Sequence, residues 1–317
     1  MKKSAIVLLN MGGPNNLEEV ELFLKNMFSD PNILTVKSNL LRKFIGTMIV
    51  FSRAEQAQEV YRELGGKSPL VEHTQKLVAK LQQRVGEEVL VDFAMRYTPP
   101  FADGVARKFE EANVSDIYII PLYPQYSTTT TKSSLEDFIE QYEKQGGNAT
   151  LHVIKNFYRN LLYNQIIIDR IKEVLDGKKS EEYTLIFSAH GLPQKIVNAG
   201  DPYQRQVENH VKILSTMLQK EGMGFDSIEL AYQSKVGPMK WLEPSLEEKL
   251  KELTNKKVLI FPIAFTIDNS ETDFELHVEY KEIADELGFK EYLVARCPND
   301  SDGFVEALYD IYTEMQK

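Results

Sequence analysis

Two stretches decide the fold: Ser4-Ala5-Ile6-Val7-Leu8-Leu9-Asn10-Met11-Gly12-Gly13-Pro14, and Thr184-Leu185-Ile186-Phe187-Ser188-Ala189-His190-Gly191-Leu192-Pro193. Each is a short strand-like run that ends in X-Gly-X-Pro, and the two lie about half a chain apart, which suggests an internal duplication. Strand candidates at 4–10, 89–94, 116–121, 151–155, 184–188, 227–232, 257–262 and 291–295 alternate with segments of helical period. Those helix candidates fall near 17–28, 39–51, 54–64, 72–84, 101–112, 134–144, 159–175, 203–220, 245–254, 271–286 and 302–315. Such alternation is the mark of parallel sheets flanked by helices, so the fold class is α/β. The symmetry puts the boundary near residue 160, giving lobes 1–160 and 161–317. In open parallel sheets the loops after the strands' carboxyl ends form the ligand crevice, where Met11 and His190 take equivalent positions.

Length agrees with two lobes, because 317 residues exceed one typical domain. A composition of 43% hydrophobic and 26% charged residues is that of an ordinary folded protein. A formal charge of -10 argues against a nucleic-acid partner, since phosphates reward clustered Lys and Arg. The single cysteine, Cys297, leaves no internal disulfide and no iron–sulfur cluster, and it fits a reducing, cytoplasmic compartment. Met1-Lys2-Lys3 resembles a signal start, but Ala5 to Leu9 is too short an apolar core for one and reads as the first strand. The longest apolar segment, Phe44 to Phe51, is far short of the ~20 residues a membrane span needs.

Several chemistries lose support from what is missing. Neither half has Gly-x-Gly-x-x-Gly after its strand, and Gly12-Gly13-Pro14 places a ring where a phosphate-cradling amide is wanted. No Gly-x-Ser-x-Gly elbow or His-Glu-x-x-His helix occurs. The stretch Pro31 to Ala54 is different: it lacks acidic residues but carries Lys37, Arg42, Lys43 and Arg53. Within it Leu40, Leu41, Phe44, Ile45, Met48 and Ile49 share one helix face. Taken alone, such a stripe is ordinary core; with the cations it suits an amphiphilic anion or a membrane surface.

His190 directly follows a strand in a Gly/Pro loop, where an imidazole with a pKa near ~6.5 can serve as base or as ligand for ferrous iron. His73, His152, His210 and His277 fall in regular helix or strand patterns and read as structural or surface residues. The run Asp268-Asn269-Ser270-Glu271-Thr272-Asp273-Phe274-Glu275 ends a strand and opens a helix. Glu271, Glu275, Glu279 and Glu282 then line one helix face, the last two as a solvated row. Glu271 and Glu275 stand where the crevice is expected, and a carboxylate there needs a cation or a proton.

These residues sit within a wider set of motifs. Leu9–Pro14, Gly65-Gly66-Lys67-Ser68-Pro69-Leu70, Met95-Arg96-Tyr97, Tyr123-Pro124-Gln125-Tyr126-Ser127, Ser188–Pro193, Gly200-Asp201-Pro202-Tyr203, Tyr232-Gln233-Ser234-Lys235-Val236-Gly237-Pro238 and Glu271-Thr272 together resemble the ferrochelatase family, in order and over nearly the whole chain. The resemblance implies two Rossmann-like lobes around a porphyrin cleft, with a final helix that packs back on the first lobe. It also implies catalytic His190, Glu271 and Glu275, of which His190 and Glu271 handle the metal, and substrate contacts from Met11, Arg53, Tyr126, Ser127, Ser234 and Trp241. Met11 then lies opposite His190 across the macrocycle, and Arg53 and Ser234 near its propionates.

The implied reaction is insertion of ferrous iron into protoporphyrin IX, since Met11 stands where some members have tyrosine. No cofactor is held permanently, iron and porphyrin are the substrates, and residues 33–53 offer a peripheral contact to the inner face of a membrane. The rival readings are a coproporphyrin ferrochelatase, another tetrapyrrole chelatase, or a non-catalytic haem-binding protein. One departure concerns proton transfer: many members have a histidine where this chain has Asn269.

Overall fold

The computed structural model describes residues 4–235, 237 and 239–317; Met1 to Lys3, and Val236 and Pro238 of the Tyr232 motif, lie outside them. The chain divides into two compact units, Met1–Asn156 with Leu308–Lys317, and Phe157–Ala307. The first unit runs β1 (Ser4–Asn10), α1 (Glu19–Ser29), α2 (Asn39–Glu63), α3 (Leu70–Val85), β2 (Val89–Met95), α4 (Ala102–Glu111), β3 (Asp116–Pro121), α5 (Ser133–Lys144) and β4 (Thr150–Val153). Its parallel sheet has the order β2-β1-β3-β4. The sequence explains the order: Ala5 to Asn10 of β1 are all buried, as a central strand covered on both faces demands, whereas β4 is a short, partly exposed edge.

The second unit repeats the plan with α6 (Leu161–Leu175), β5 (Thr184–His190), α7 (Gln194–Asn198), α8 (Tyr203–Lys220), β6 (Ser227–Gln233), α9 (Leu246–Glu252) and β7 (Lys257–Pro262). A π-helical segment, Glu271–Glu279, leads into α10 (Tyr280–Glu286), followed by β8 (Glu291–Val294) and α11 (Asp302–Met315). The parallel order is β6-β5-β7-β8, with β5 central and buried up to Ala189. Local signals start these helices: Asn160 caps the Tyr163 amide at 2.9 Å, and Ser245 with Glu248 forms a capping box. From Leu308 onward the final helix belongs to the first unit, where Tyr312 meets Tyr118 edge-on at 4.8 Å and Arg84 lies over Tyr309.

The duplication is visible in the registers. Leu9 pairs with Pro121 in one sheet and Ser188 with Pro262 in the other. The next amides repeat the bond, Leu122 to the Leu9 carbonyl at 2.7 Å and Ile263 to that of Ser188 at 2.9 Å. Leu9 therefore matches Ser188, and counting two residues on makes Met11 the counterpart of His190.

Two expectations need correction, and one reading left open is decided. Segments 39–51 and 54–64 form one helix, α2, because Phe51-Ser52-Arg53-Ala54 contains nothing that breaks a helix. That helix does not bury its apolar stripe. Gly46, Val50 and Tyr61 face inward, while Leu40, Phe44, Met48 and Phe51 are exposed. Gly46 sets the rotation, since a Cβ there would lie 2.9 Å from the Phe28 carbonyl oxygen at the end of α1. Segment 271–286 opens in π rather than α geometry. Among the described residues no helix is long and apolar enough to cross a membrane.

His210, fully buried on α8, reads correctly as structural: its Nε2 meets Asn164 Oδ1 at 2.7 Å. Burial pulls its pKa down to about 3, so the native state refuses a proton that the unfolded chain takes up below about 6.5. Its contribution is present above that pH and lost as pH falls. Thermal melts of native protein and His210→Gln from pH 7 to 4 check this: the variant is expected to lose less stability over that range than the native protein, and parallel curves would refute it.

Candidate active site

His190 is the last residue of β5, not a loop residue, so the strand itself aims its imidazole. Its carbonyl accepts the Tyr203 hydroxyl at 3.0 Å, and the next amide, Gly191, donates to the Gln233 carbonyl at 2.8 Å. Glycine is required at 191, because a Cβ would sit 2.9 Å from that carbonyl oxygen and 3.4 Å from the Trp241 ring. The strand end is thereby fixed against β6.

Across from it, the π segment presents Glu271 and Glu275. His190 Nδ1 meets Glu271 Oε2 at 2.6 Å, with 37% of the His190 side chain exposed and so open to a ligand. Ser234, held at φ +65°, gives its amide to Glu275 Oε1 at 2.8 Å. Its hydroxyl lies 2.8 Å from Glu271 Oε2 and 2.5 Å from Glu275 Oε2. One hydroxyl proton cannot serve both carboxylates, so the second short contact asks for a proton on a carboxyl group. Gln233, buried in β6, accepts the Ser188 hydroxyl at 2.7 Å and donates to the Glu271 carbonyl at 3.1 Å and to Glu275 Oε2 at 3.2 Å. Glu279 and Glu282 are exposed, as a solvated row should be.

Burial disfavours charge on all three groups, and their mutual fields decide the outcome. For Glu275, burial and then the neighbouring Glu271 charge push the carboxyl up to about 7. Burial would raise Glu271 too, but the His190 charge and hydrogen bond, with Ser234, hold it below the usual carboxylate range. His190 is pressed down by burial yet ends above the ordinary imidazole range through Glu271 and Glu275. Near neutrality the site thus holds an imidazolium–carboxylate pair beside a carboxyl that exchanges its proton readily.

The structure brings His190, Glu271, Glu275 and Ser234 together in the second unit. Trp241 is buried against Gly191 and packs rather than projects. In the first unit Met11 is half-buried against a cluster containing Phe23 and Tyr97, while Arg53 and Tyr126 are half-buried. Ser127, expected to touch substrate, is instead buried, and its hydroxyl caps the Thr129 amide at 3.1 Å at the start of a π turn, Thr128–Lys132. Arg96 and Tyr97 knit the same unit: Tyr97 donates to buried Asp30 at 2.8 Å, and Arg96 Nε donates to Ser133 at 3.0 Å. Gln233 was missed by sequence reasoning. Its only signal was its place in the Tyr232-Gln233-Ser234 motif.

Comparison with known proteins fits this geometry. The ferrochelatase family model matches residues 3–316. The chain belongs to the ferrochelatase family. A ferrochelatase of Sulfurimonas denitrificans is 64% identical over 316 residues, covering all of both chains. One of Nitratiruptor sp. is 59% identical over 98% of this chain and 99% of its own, and one of Helicobacter pylori strain G27 is 45% identical over 99% and 94%. Among solved structures, SirB from Bacillus subtilis with Fe3+ has a TM-score of 0.58 at 11% identity, covering 99% of this chain and 95% of that one. CbiX, a terminal enzyme of sirohaem biosynthesis in denitrifying bacteria, has a TM-score of 0.51 at 10% identity, covering 98% and 99%. At such identities these two structures show the shared fold alone. The family makes the chain a metal chelatase of haem biosynthesis, a lyase that inserts metal into a porphyrin.

The raised Glu275 carboxyl has a measurable consequence for stability. Between about 4.5 and 7 the native protein holds a proton that the unfolded chain has released, so this group's contribution falls as pH rises through that interval. Glu275→Gln removes the component, and melting temperature against pH should be flatter for the metal-free variant than for native protein from pH 5 to 7. An unchanged slope would contradict the assignment.

Proposed function

We propose that the chain inserts ferrous iron into protoporphyrin IX to give protohaem, with His190, Glu271 and Glu275 as the acid–base and metal-handling groups. The observation that carries this reading is the 2.6 Å contact between His190 and Glu271, with Glu275 bound to the same serine. Metallation removes two inner N–H protons from the ring and strips water from a hydrated dication, so it needs a base and an anionic station for the metal. In the resting pair His190 carries a proton and is a poor base. A dication arriving at Glu271 and Glu275 repels that proton, which passes to solvent at the exposed edge of the His190 ring, and the neutral imidazole can then accept a proton from a ring N–H. The two carboxylates also offset the metal's charge as its water leaves.

For the porphyrin, the exposed apolar side chains of α2 support a ring with apolar substituents, and Arg53 on the same helix supports propionate binding. Arg42 is tied to the Ser29 and Val36 carbonyls, which leaves fewer cations for a four-propionate ring and favours protoporphyrin over coproporphyrin. Met11 adds an apolar thioether to the first unit's cluster.

His190→Ala is expected to retain porphyrin binding while losing about 10²- to 10⁴-fold in anaerobic insertion rate, the usual range for a lost general base. Glu271→Gln should lose most activity as well, and full activity there would move its role to Glu275. Run side by side, protoporphyrin should show the higher kcat/KM; a higher value for coproporphyrin would reverse the substrate assignment.

Residues 33–53 combine that apolar face with Lys37, Lys43 and Arg53, which suits the interface of an anionic bilayer. Co-sedimentation with phosphatidylglycerol vesicles at low salt, lost on Phe44→Glu with Phe51→Glu, is the expected result. No sedimentation of native protein would exclude the contact.

A further inference from the structure

The loop between β7 and the π segment is bolted down on one side by a buried pair. The Asp268 carboxylate accepts Asn299 Nδ2 at 2.6 Å and the Cys297 amide at 3.2 Å, while Asn299 Oδ1 accepts the Asp268 amide at 2.8 Å. One residue on, Asn269 is 7% exposed and uses both ends of its side chain. Its Nδ2 donates to the Ile267 carbonyl at 3.2 Å, and its Oδ1 accepts the Glu271 amide at 2.8 Å. Its own amide donates to Thr272 Oγ1 at 3.0 Å, and its carbonyl accepts the Asp273 amide at 2.8 Å. The first amides of any helix lack partners within it, and Ser270, at the N-cap, makes no side-chain cap bond.

We infer that Asn269 is a positioning residue for metal insertion: one planar amide bridges Ile267 and Glu271, fixes how the π segment leaves the loop, and so sets the aim of the Glu271 carboxylate at His190. The inference rests on the role proposed for Glu271. It assigns Asn269 no contact with substrate and no proton. Because the side chain has no ionisation near neutral pH, the bridge keeps its form across the range in which its neighbours titrate. A displacement of about 1 Å at a reacting group costs on the order of 10²-fold in rate, which is the scale on which such a bridge matters.

The test compares Asn269→Ala and Asn269→Asp, with Glu271→Gln as control. The readouts are kcat, KM for porphyrin, thermal midpoint, and hydrogen exchange of the metal-free protein over residues 269–276. Asn269→Ala should lower kcat by about 10- to 10²-fold with KM within about twofold, the signature of a group that acts on the transition state rather than on binding. It should also speed exchange of the Glu271 amide. Asn269→Asp keeps the acceptor for the Glu271 amide but has no donor for the Ile267 carbonyl, so its kcat and its exchange should fall between those of the native protein and of Asn269→Ala.

An Ala variant with native kcat and exchange, a raised KM at native kcat, or an Asp variant with native kcat and exchange would each overturn the inference. If the Ala protein does not fold, Asn269→Asp decides alone: lowered kcat with faster exchange of the Glu271 amide supports the bridge, and native kcat and exchange refute it. Full activity in Glu271→Gln would instead defeat the reading of Glu271, whatever the Asn269 variants do, whereas unchanged exchange in Asn269→Ala defeats only the bridge.

Discussion

A single buried amide, that of Gln233, holds the chemistry of the second unit in place. It joins Ser188 on the central strand to the backbone and side chain of the π segment, and it is 1% exposed. Removing one partner from such a network leaves the others unsatisfied in a medium that cannot hydrate them, at a cost of about 1–3 kcal/mol for each orphaned group. The strand that supplies His190 and the segment that supplies Glu271 and Glu275 are thus locked through a side chain with no role in proton transfer. Rigidity of this kind lets three ionisable groups stay close together despite the cost of burying them.

Their closeness gives the site its electrostatic character. One partner of each sign forms a pair, and the third group, Glu275, is left to carry or release a proton near neutrality. A reaction that brings in two positive charges and expels two protons needs such a buffer, because the charge of the site must not swing widely at any stage. The π geometry belongs to the same solution. Such helices are rare and cluster at functional sites, and here Ser234 reaches carboxylates four residues apart in the chain.

Much of this was legible in the sequence because strands buried on both faces write themselves as unbroken aliphatic runs. Every strand read at the outset exists, and the matching of Met11 with His190 follows from the X-Gly-X-Pro loops that end two such runs. His190, Glu271 and Glu275 stood out because charged or titratable residues at strand ends are conspicuous. What stayed hidden depends on tertiary packing. The rotation of α2 is set by the close approach of Gly46 to Phe28, which periodicity cannot register, so the stripe alone could not tell core from surface. The importance of Gln233 and the capping role of Ser127 arise from partners tens of residues away or from a π turn that has no sequence period of its own.

The repeated plan of the two units places one backbone device in two chemical settings. Thr128–Lys132 and Glu271–Glu279 are π-helical stretches at the same point of the plan, after β3 and β7 and before α5 and α10. One is made of threonines and a lysine and the other carries Glu271, Glu275 and Glu279, while thioether and imidazole are counterparts in the plan at Met11 and His190. The same backbone plan thus carries hydroxyls and one cation at this point of the first unit and carboxylates in the second. The shape of each unit therefore does not depend on which side chains stand at this point, and the two units together separate what the architecture requires from what the side chains add to it.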